Sequence, residues 1–370
     1  MRSMAAIRSV PGAFLALLLS SACAAPAASE PALTLPAGFR IDTWVDGIAD
    51  ARSMARADGG TLFVGTMRGG VVYAVRERAD GKREVQTILR GLDMPNGVAV
   101  HGGALYVAEM AGISRYDDIE RHLDAPPKPV LIARLPAERH HGWRYLGFGP
   151  DGKLYVSIGA PCNICDRDAE DFATIVRMNA DGSGREVVAR GVRNSVGFTW
   201  HPVTGELWFT DNGRDMLGDD VPPCELNRLS RVGEHFGYPA CHGAAIIDPE
   251  FGKSGSCAAG TPPVQELGPH VAPLGVRFYT GTMFPPAYRG QVFIAEHGSW
   301  NRSERIGYRV TLVRLDGNRA VSYEPFATGW LAPDGSVSGR PVDLLQLPDG
   351  SLLVSDDKAG VIHRISYSAP

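Results

Sequence analysis

Two adjacent histidines, His140 and His141, stand directly ahead of the stretch GWRYLGFGPDGKLYVSIG, which reads as a β-hairpin with a Pro-Asp-Gly turn. Histidine is the side chain whose ordinary pKa lies nearest neutrality, so a well-placed one can take a proton from a hydroxyl at physiological pH. Polar residues precede other hairpins of the same kind. Arg52 lies eight residues before Gly60, Asn96 seven before Gly103, and His141 eleven before Gly152. Asn194, with Arg193 beside it, lies eleven before Gly205; Arg277 lies thirteen before Gly290 and Arg340 ten before Gly350. A single arginine usually pairs with a nearby carboxylate or with water. Several arginines and a histidine brought to one place describe a site for a planar, multiply anionic ligand, because the guanidinium fork matches carboxylates in a bidentate manner. The run TDNGRDMLGDD adds Asp211, Asp215, Asp219 and Asp220. Their oxygens suit calcium, but the spacing is not that of an EF-hand, and solvated turn acids explain them equally well.

The elements that must position these residues repeat. GTLFV from Gly60, GALYV from Gly103, GKLYV from Gly152, GELWF from Gly205, GQVFI from Gly290 and GSLLV from Gly350 are six versions of one turn-and-strand signature, spaced by 43, 49, 53, 85 and 60 residues. Several continue through a second turn into another strand, as in RGGVVYAV after Met67. A period in this range built from short antiparallel strands is the mark of a β-propeller, and six copies predict an all-β, six-bladed β-propeller. The 85-residue interval is expected to carry loops, given the Pro, Gly and Cys content between Pro222 and Pro263, and not a seventh blade. In a propeller the innermost strands line a central channel, so the residues ahead of each hairpin are expected to converge at one mouth.

The bulk properties fit. The chain has 370 residues, 44% of them hydrophobic and 21% charged, with 44 glycines and 27 prolines, as a large core of short elements joined by tight turns requires. A net charge of −4 gives no electrostatic case for nucleic acid or an anionic membrane. Arg2 and Arg8, the apolar AFLALLL and Ala22-Cys23-Ala24 read as a secretion signal over 1–24, with a linker over 25–35 and the propeller over 36–370. Export to the periplasm or beyond is expected, with lipidation at Cys23 an open alternative, and no later window is apolar enough for a membrane span. In an oxidising compartment the remaining cysteines are expected to pair as Cys162–Cys165 and Cys241–Cys257, leaving Cys224 free. Their spacing lacks a zinc pattern, and Asp166 after Cys165 excludes the haem-attachment motif.

Taken in order, HHGWRYLGFGPDGKLYVSIGAPCNIC, RGVRNSVGFTWHP, LGPHVAPLGVRFYTG, FIAEHGSWNRS and GRPVDLLQLPDGSLLVSDD resemble the soluble quinoprotein glucose/sorbosone dehydrogenases, above all their sorbosone-dehydrogenase-like branch, across the mature chain. The resemblance implies pyrroloquinoline quinone (PQQ) as cofactor and calcium bridging it to the protein. It implies that His141 is the general base, that Arg193 stabilises negative charge on the quinone and that Asn194 binds the cofactor. The carbonyls of Gly213 and Arg214 fall where the family holds calcium, and Arg340 matches a carboxylate-binding arginine. A second family arginine corresponds to Val342. The family's cofactor-binding lysine has no direct counterpart, with His297 or Arg302 as its substitute; by their position ahead of the hairpins, Arg52 and Asn96 complete the cofactor rim. Pro95 replaces a glutamine of glucose-oxidising members, and His140 an aspartate beside the base. The implied activity is oxidation of an aldose or sugar-derived aldehyde, with electrons passed to a periplasmic cytochrome or quinone. Two other readings stay open: a calcium-dependent lactonase on a six-bladed propeller, and a propeller that binds a sugar or peptide without catalysis. The arginine ring favours the PQQ-dependent dehydrogenase, since a hydrolase or a binding propeller has less need of it.

Overall fold

A computed structural model describes residues 33–167 and 170–369; the expected signal segment, with Cys23, and most of the linker lie outside them. Each signature glycine sits in the turn between the first and second strands of a four-stranded antiparallel unit, and there are six such units. Their innermost strands are Met54–Arg56, Gly97–His101, Leu146–Phe148, Phe198–Trp200, Pro273–Phe278 and Pro341–Gln346. The second strands, such as Leu154–Ile158, Leu207–Asp211 and Val292–Glu296, are buried along their whole length. That explains their sequence. A strand covered on both faces has no solvent side, so it reads as a continuous apolar run without alternation.

The faces are covered by neighbouring blades. One apolar cluster joins the first and second blades through Phe63, Leu105 and Val107, another joins the second and third through Tyr106, Val156 and Val176, and the series continues round the ring. The fifth and sixth blades share Phe293, Leu312, Leu352 and Val354. The sixth and first share Leu345, Leu353, Leu62 and Val64. The ring is closed by the N-terminal strand Phe39–Val45, which pairs antiparallel with Val361–Tyr367 as the outermost strand of the last blade. Phe39 locks that closure, with its ring edge-on to Phe284, Tyr288 and Phe326 at 4.8–5.0 Å. Burial of an aromatic of this size contributes about 1.5–3 kcal/mol.

The long interval carries loops, as expected. Between Pro223–Leu229 and Gln265–Pro269 of the fourth blade the chain leaves the sheet, pairs Glu234–His235 in parallel with Glu186–Arg190 of the third blade, and forms a small hairpin of Cys241–His242 with Ile246–Ile247. Cys241–Cys257 closes this insertion and Cys162–Cys165 closes a loop of the third blade. Cys224 is free and buried, and burial pushes its thiol up to about 12, which leaves no thiolate for chemistry at neutral pH. Among the described residues, no helix is long and apolar enough to cross a membrane.

Candidate active site

Because strands alternate in direction, the loop leading into each first strand and the loop leaving each second strand lie at the same end of the ring, while the glycine turns lie at the other. Both loop sets line a cavity of about 420 Å³. The leading loops supply Arg52, His141, Arg193, Asn194 and Arg340; the leaving loops supply Gly213 and His297. Val196, Leu274 and Val342 with Trp143 form an apolar plug against the cavity, Leu274 and Trp143 in its lining. Val342, which stands where the family has an arginine, is part of that plug.

His141 is buried at 6% exposure, with a left-handed backbone at φ 50°. Its Nδ1 lies 2.8 Å from the Ala160 carbonyl. A carbonyl can only accept, so Nδ1 carries the proton and Nε2 keeps a lone pair, with no partner among the described residues. Burial, with the charge of Arg193 and the neighbouring His140 ring, holds the His141 pKa well below the ordinary histidine value, so the imidazole is neutral and ready to accept a proton. Arg144 steadies the loop from beneath. Buried at 1% exposure, it donates to the carbonyls of Met110, His141 and Pro136, and burial lowers its pKa to about 10.

The leaving loop of the third blade fixes His141 by contact. A Cβ on Gly159 would fall 2.6 Å from the His141 Cβ, 3.2 Å from the His141 carbonyl oxygen and 3.3 Å from the Arg193 carbonyl oxygen. Gly159→Ala is therefore expected to displace both segments, costing about 1–3 kcal/mol of stability and about 10²-fold in turnover. Thermal unfolding and steady-state rates of the purified variant check this, and a wild-type rate would show that the segments yield freely.

Arg193 is buried at 4% exposure beside His141. Its Nη1 donates to the carbonyls of Asn212 (3.0 Å) and Gly213 (2.8 Å), and its Nη2 pairs with Asp215 at 3.3 Å. Burial lowers its pKa from the ordinary arginine value against the opposing pull of Asp215 and Asp211. Asp211 accepts the backbone N–H groups of Arg193 and Asn194 at 2.8 and 2.6 Å, so it fixes the segment that carries both residues. On the opposite side, Arg52 and His297 converge on Asp357, each at 2.9 Å. Burial drives the His297 pKa to about 4 although Asp357 pulls it upward, so a neutral imidazole donates Nε2–H to the carboxylate. Burial would raise Asp357, but that hydrogen bond and the nearby Arg52 outweigh it and keep the group ionised. Arg340 donates to the carbonyls of His297 and Gly298 at 3.0 and 3.1 Å and has no carboxylate at ion-pair distance among the described residues.

Three expected rim residues do not line the cavity. Asn96 is a strut: its Oδ1 accepts from Arg52 Nε at 2.9 Å and its Nδ2 donates to the Arg144 carbonyl at 2.7 Å. The Arg214 side chain turns to Asp248 and Glu250, and Arg302 turns to Asp220 and the Asp219 carbonyl. Of the two candidates for the lysine position, His297 is thus the one at the cavity. Arg277 lies inside the strand Pro273–Phe278, not in its leading loop, and donates to the Leu344 carbonyl. The long connection between Phe278 and Val292 displaced the count from Gly290, and the equivalent mouth residue is His270. The acidic run is also dispersed. Asp211 serves the backbone, Asp215 faces Arg193 and His270, and Asp219 and Asp220 face Ser303 and Arg302. No group of three or more His, Cys, Asp or Glu is arranged to hold a metal among the described residues.

Arg68, Trp143, His270 and Trp300 also line the cavity and were not singled out from sequence. A signal for the leaving loops does exist. Counting seven residues forward from each signature glycine gives Met67, Met110, Gly159, Asn212, His297 and Asp357, all at or beside this mouth. The forward count is constant because the second strand follows the turn directly.

The fold and site together define a six-bladed propeller with a cationic axial cavity. The chain belongs to the TrAA12-like family, whose model matches residues 33–368. It is 34% identical over 365 residues to an uncharacterized protein of Borreliella burgdorferi, covering 95% of each chain. Its fold matches the holo form of the PQQ domain of pyranose dehydrogenase from Coprinopsis cinerea with a TM-score of 0.78 at 20% identity, covering 91% of this chain and 97% of that one. The calcium structure of a family AA12 carbohydrate-active enzyme from Trichoderma reesei matches with a TM-score of 0.78 at 21% identity, covering 92% and 98%.

Proposed function

We propose that this chain is an exported, PQQ-dependent dehydrogenase that oxidises an aldose or a sugar-derived aldehyde. The observation that carries the reading is the charge around the cavity. Arg52, Arg68, Arg193 and Arg340 line it, with Asp215 as the one lining carboxylate among the described residues; Arg193 pairs with Asp215 and Arg52 with Asp357, while neither Arg68 nor Arg340 has a carboxylate at ion-pair distance among them. A planar tricarboxylate answers that excess. When bound, PQQ supplies a two-electron acceptor for the hydride of the substrate carbon. The protein does the rest. Arg340, Arg68 and Asn194 would hold the carboxylates, with Arg52 and His297 kept in place by Asp357. His141 Nε2 takes the proton of the substrate hydroxyl. Arg193 presents a fixed positive charge where negative charge develops.

Calcium fits this donor set poorly. Of the two carbonyls expected to hold it, those of Gly213 and Arg214, the first accepts from Arg193 at 2.8 Å, the Asn212 carbonyl beside it accepts from the same nitrogen at 3.0 Å, and the neighbouring acids serve other partners. The same dispersal of acids weighs against a calcium-dependent lactonase, and the neutral, partnerless Nε2 of His141 weighs against a merely binding propeller. Two disulfides support an oxidising compartment, where a periplasmic cytochrome or quinone would take the electrons. A dye-linked assay with PQQ across aldoses, sugar-derived aldehydes and lactones tests the reading. Dye reduction with a sugar or aldehyde is expected, and lactone hydrolysis without dye reduction would overturn it.

A further inference from the structure

Asn163 lies between the two cysteines of the Cys162–Cys165 disulfide, and its contacts run to the site. Its backbone carbonyl accepts Arg193 Nε at 2.8 Å, and its Oδ1 accepts Arg193 Nη2 at 2.8 Å and the Asp215 backbone N–H at 2.9 Å. Its Nδ2 donates to the Asp215 carbonyl at 3.1 Å. Outside the loop, the Tyr238 hydroxyl accepts the Cys165 N–H at 3.0 Å and lies 3.6 Å from the Cys162 sulfur. Residues 161–167 belong to no strand, so no ladder of backbone hydrogen bonds holds them. A free loop of this length samples many conformations, and a cross-link across it removes most of them. The guanidinium is therefore gripped from two directions, by the Asn212 and Gly213 carbonyls and by one residue inside a covalently closed loop.

We propose that Asn163 is a positioning residue for Arg193 and that the Cys162–Cys165 disulfide exists to hold it there, so that this bond tunes the site without touching substrate. The proposal rests on the dehydrogenase reading for its effect on rate, but not for its geometry, which can be tested without cofactor. In isotope-labelled apoprotein, the Arg193 Nη2–H signal, which reports the bond to Asn163 Oδ1 and is assigned by its absence in Arg193→Lys, is expected to exchange slowly with water. Cys162→Ser combined with Cys165→Ser should speed that exchange about tenfold or more, as should Asn163→Ala, the effect of losing one or two hydrogen bonds. Asn163→Asp keeps the accepting oxygen and should restore protection, which a merely structural loop residue would not do. With PQQ bound, Asn163→Ala should slow quinone reduction about 10²-fold while its unfolding midpoint shows a folded protein. Unchanged Arg193 exchange in Asn163→Ala overturns the proposal, whatever the double serine variant does. Faster exchange in a protein that binds no PQQ upholds the positioning role and refutes the dehydrogenase reading instead.

Discussion

His141→Ala is expected to lose turnover on the order of 10²–10⁴-fold while binding PQQ nearly as well as the wild type. The reason lies in what the ring touches. Its Nδ1 is committed to the Ala160 carbonyl and its Nε2 has no protein partner among the described residues, so the side chain acts only when a substrate proton arrives. His140→Ala is the comparison, since that ring stacks edge-on to His141 at 4.2 Å and tunes the base without replacing it. It should retain appreciable activity. A pH profile gives an independent reading. The His141 pKa is held below the ordinary histidine value, so the competent neutral form persists as pH falls through the range where a free histidine protonates. The rate of quinone reduction in stopped flow should stay level across that range and decline only at lower pH. A decline centred at or above the ordinary histidine value would mean that another group is the base, and a normal rate in His141→Ala would make the residue structural.

Arg340→Ala is expected to act on the cofactor and hardly on the fold. Its guanidinium donates only to two carbonyls and sits 5.6 Å over the Tyr308 ring, so no buried carboxylate is orphaned by its loss. A hydrogen bond to a charged partner contributes about 1.5–3 kcal/mol, so the PQQ dissociation constant should rise by roughly 10–100-fold with a nearly unchanged unfolding midpoint. Arg52→Ala should behave differently. Arg52 is the cation paired with the partly buried Asp357, so its removal leaves that carboxylate without its cation and should lower the midpoint as well as affinity. If both variants bind PQQ at wild-type strength, the cationic rim does not read the ligand's carboxylates.

The ring of blades was legible because its second strands are buried on both faces and follow a glycine turn without interruption, which makes GKLYV and its relatives recognisable. The leading-loop residues were legible wherever the first turn is short, which is how His141, Asn194 and Arg340 were located. Arg277 failed for a physical reason: the fifth blade inserts a long connection before Gly290, and the count back from it falls inside a strand. Partnerships across the ring left no trace. Arg52 and Asp357 are 305 residues apart, and nothing in either neighbourhood announces the pair. The run of acids from Asp211 to Asp220 read as one cluster because sequence proximity hides direction, whereas the folded loop spends the side chains on separate groups: backbone N–H groups for Asp211, a guanidinium for Asp215 and Ser303 for Asp219.

The proposed role of the cavity, lined by four guanidiniums of which two pair with Asp215 and Asp357, is to hold a planar tricarboxylate redox cofactor. Titration of the folded apoprotein with PQQ, followed by absorbance and calorimetry and then by addition of an aldose panel, tests it most directly. Saturable binding at one site per chain is expected, with reduction of the bound quinone by at least one sugar or sugar-derived aldehyde. A folded protein that leaves PQQ free in solution, with and without added calcium, would contradict it.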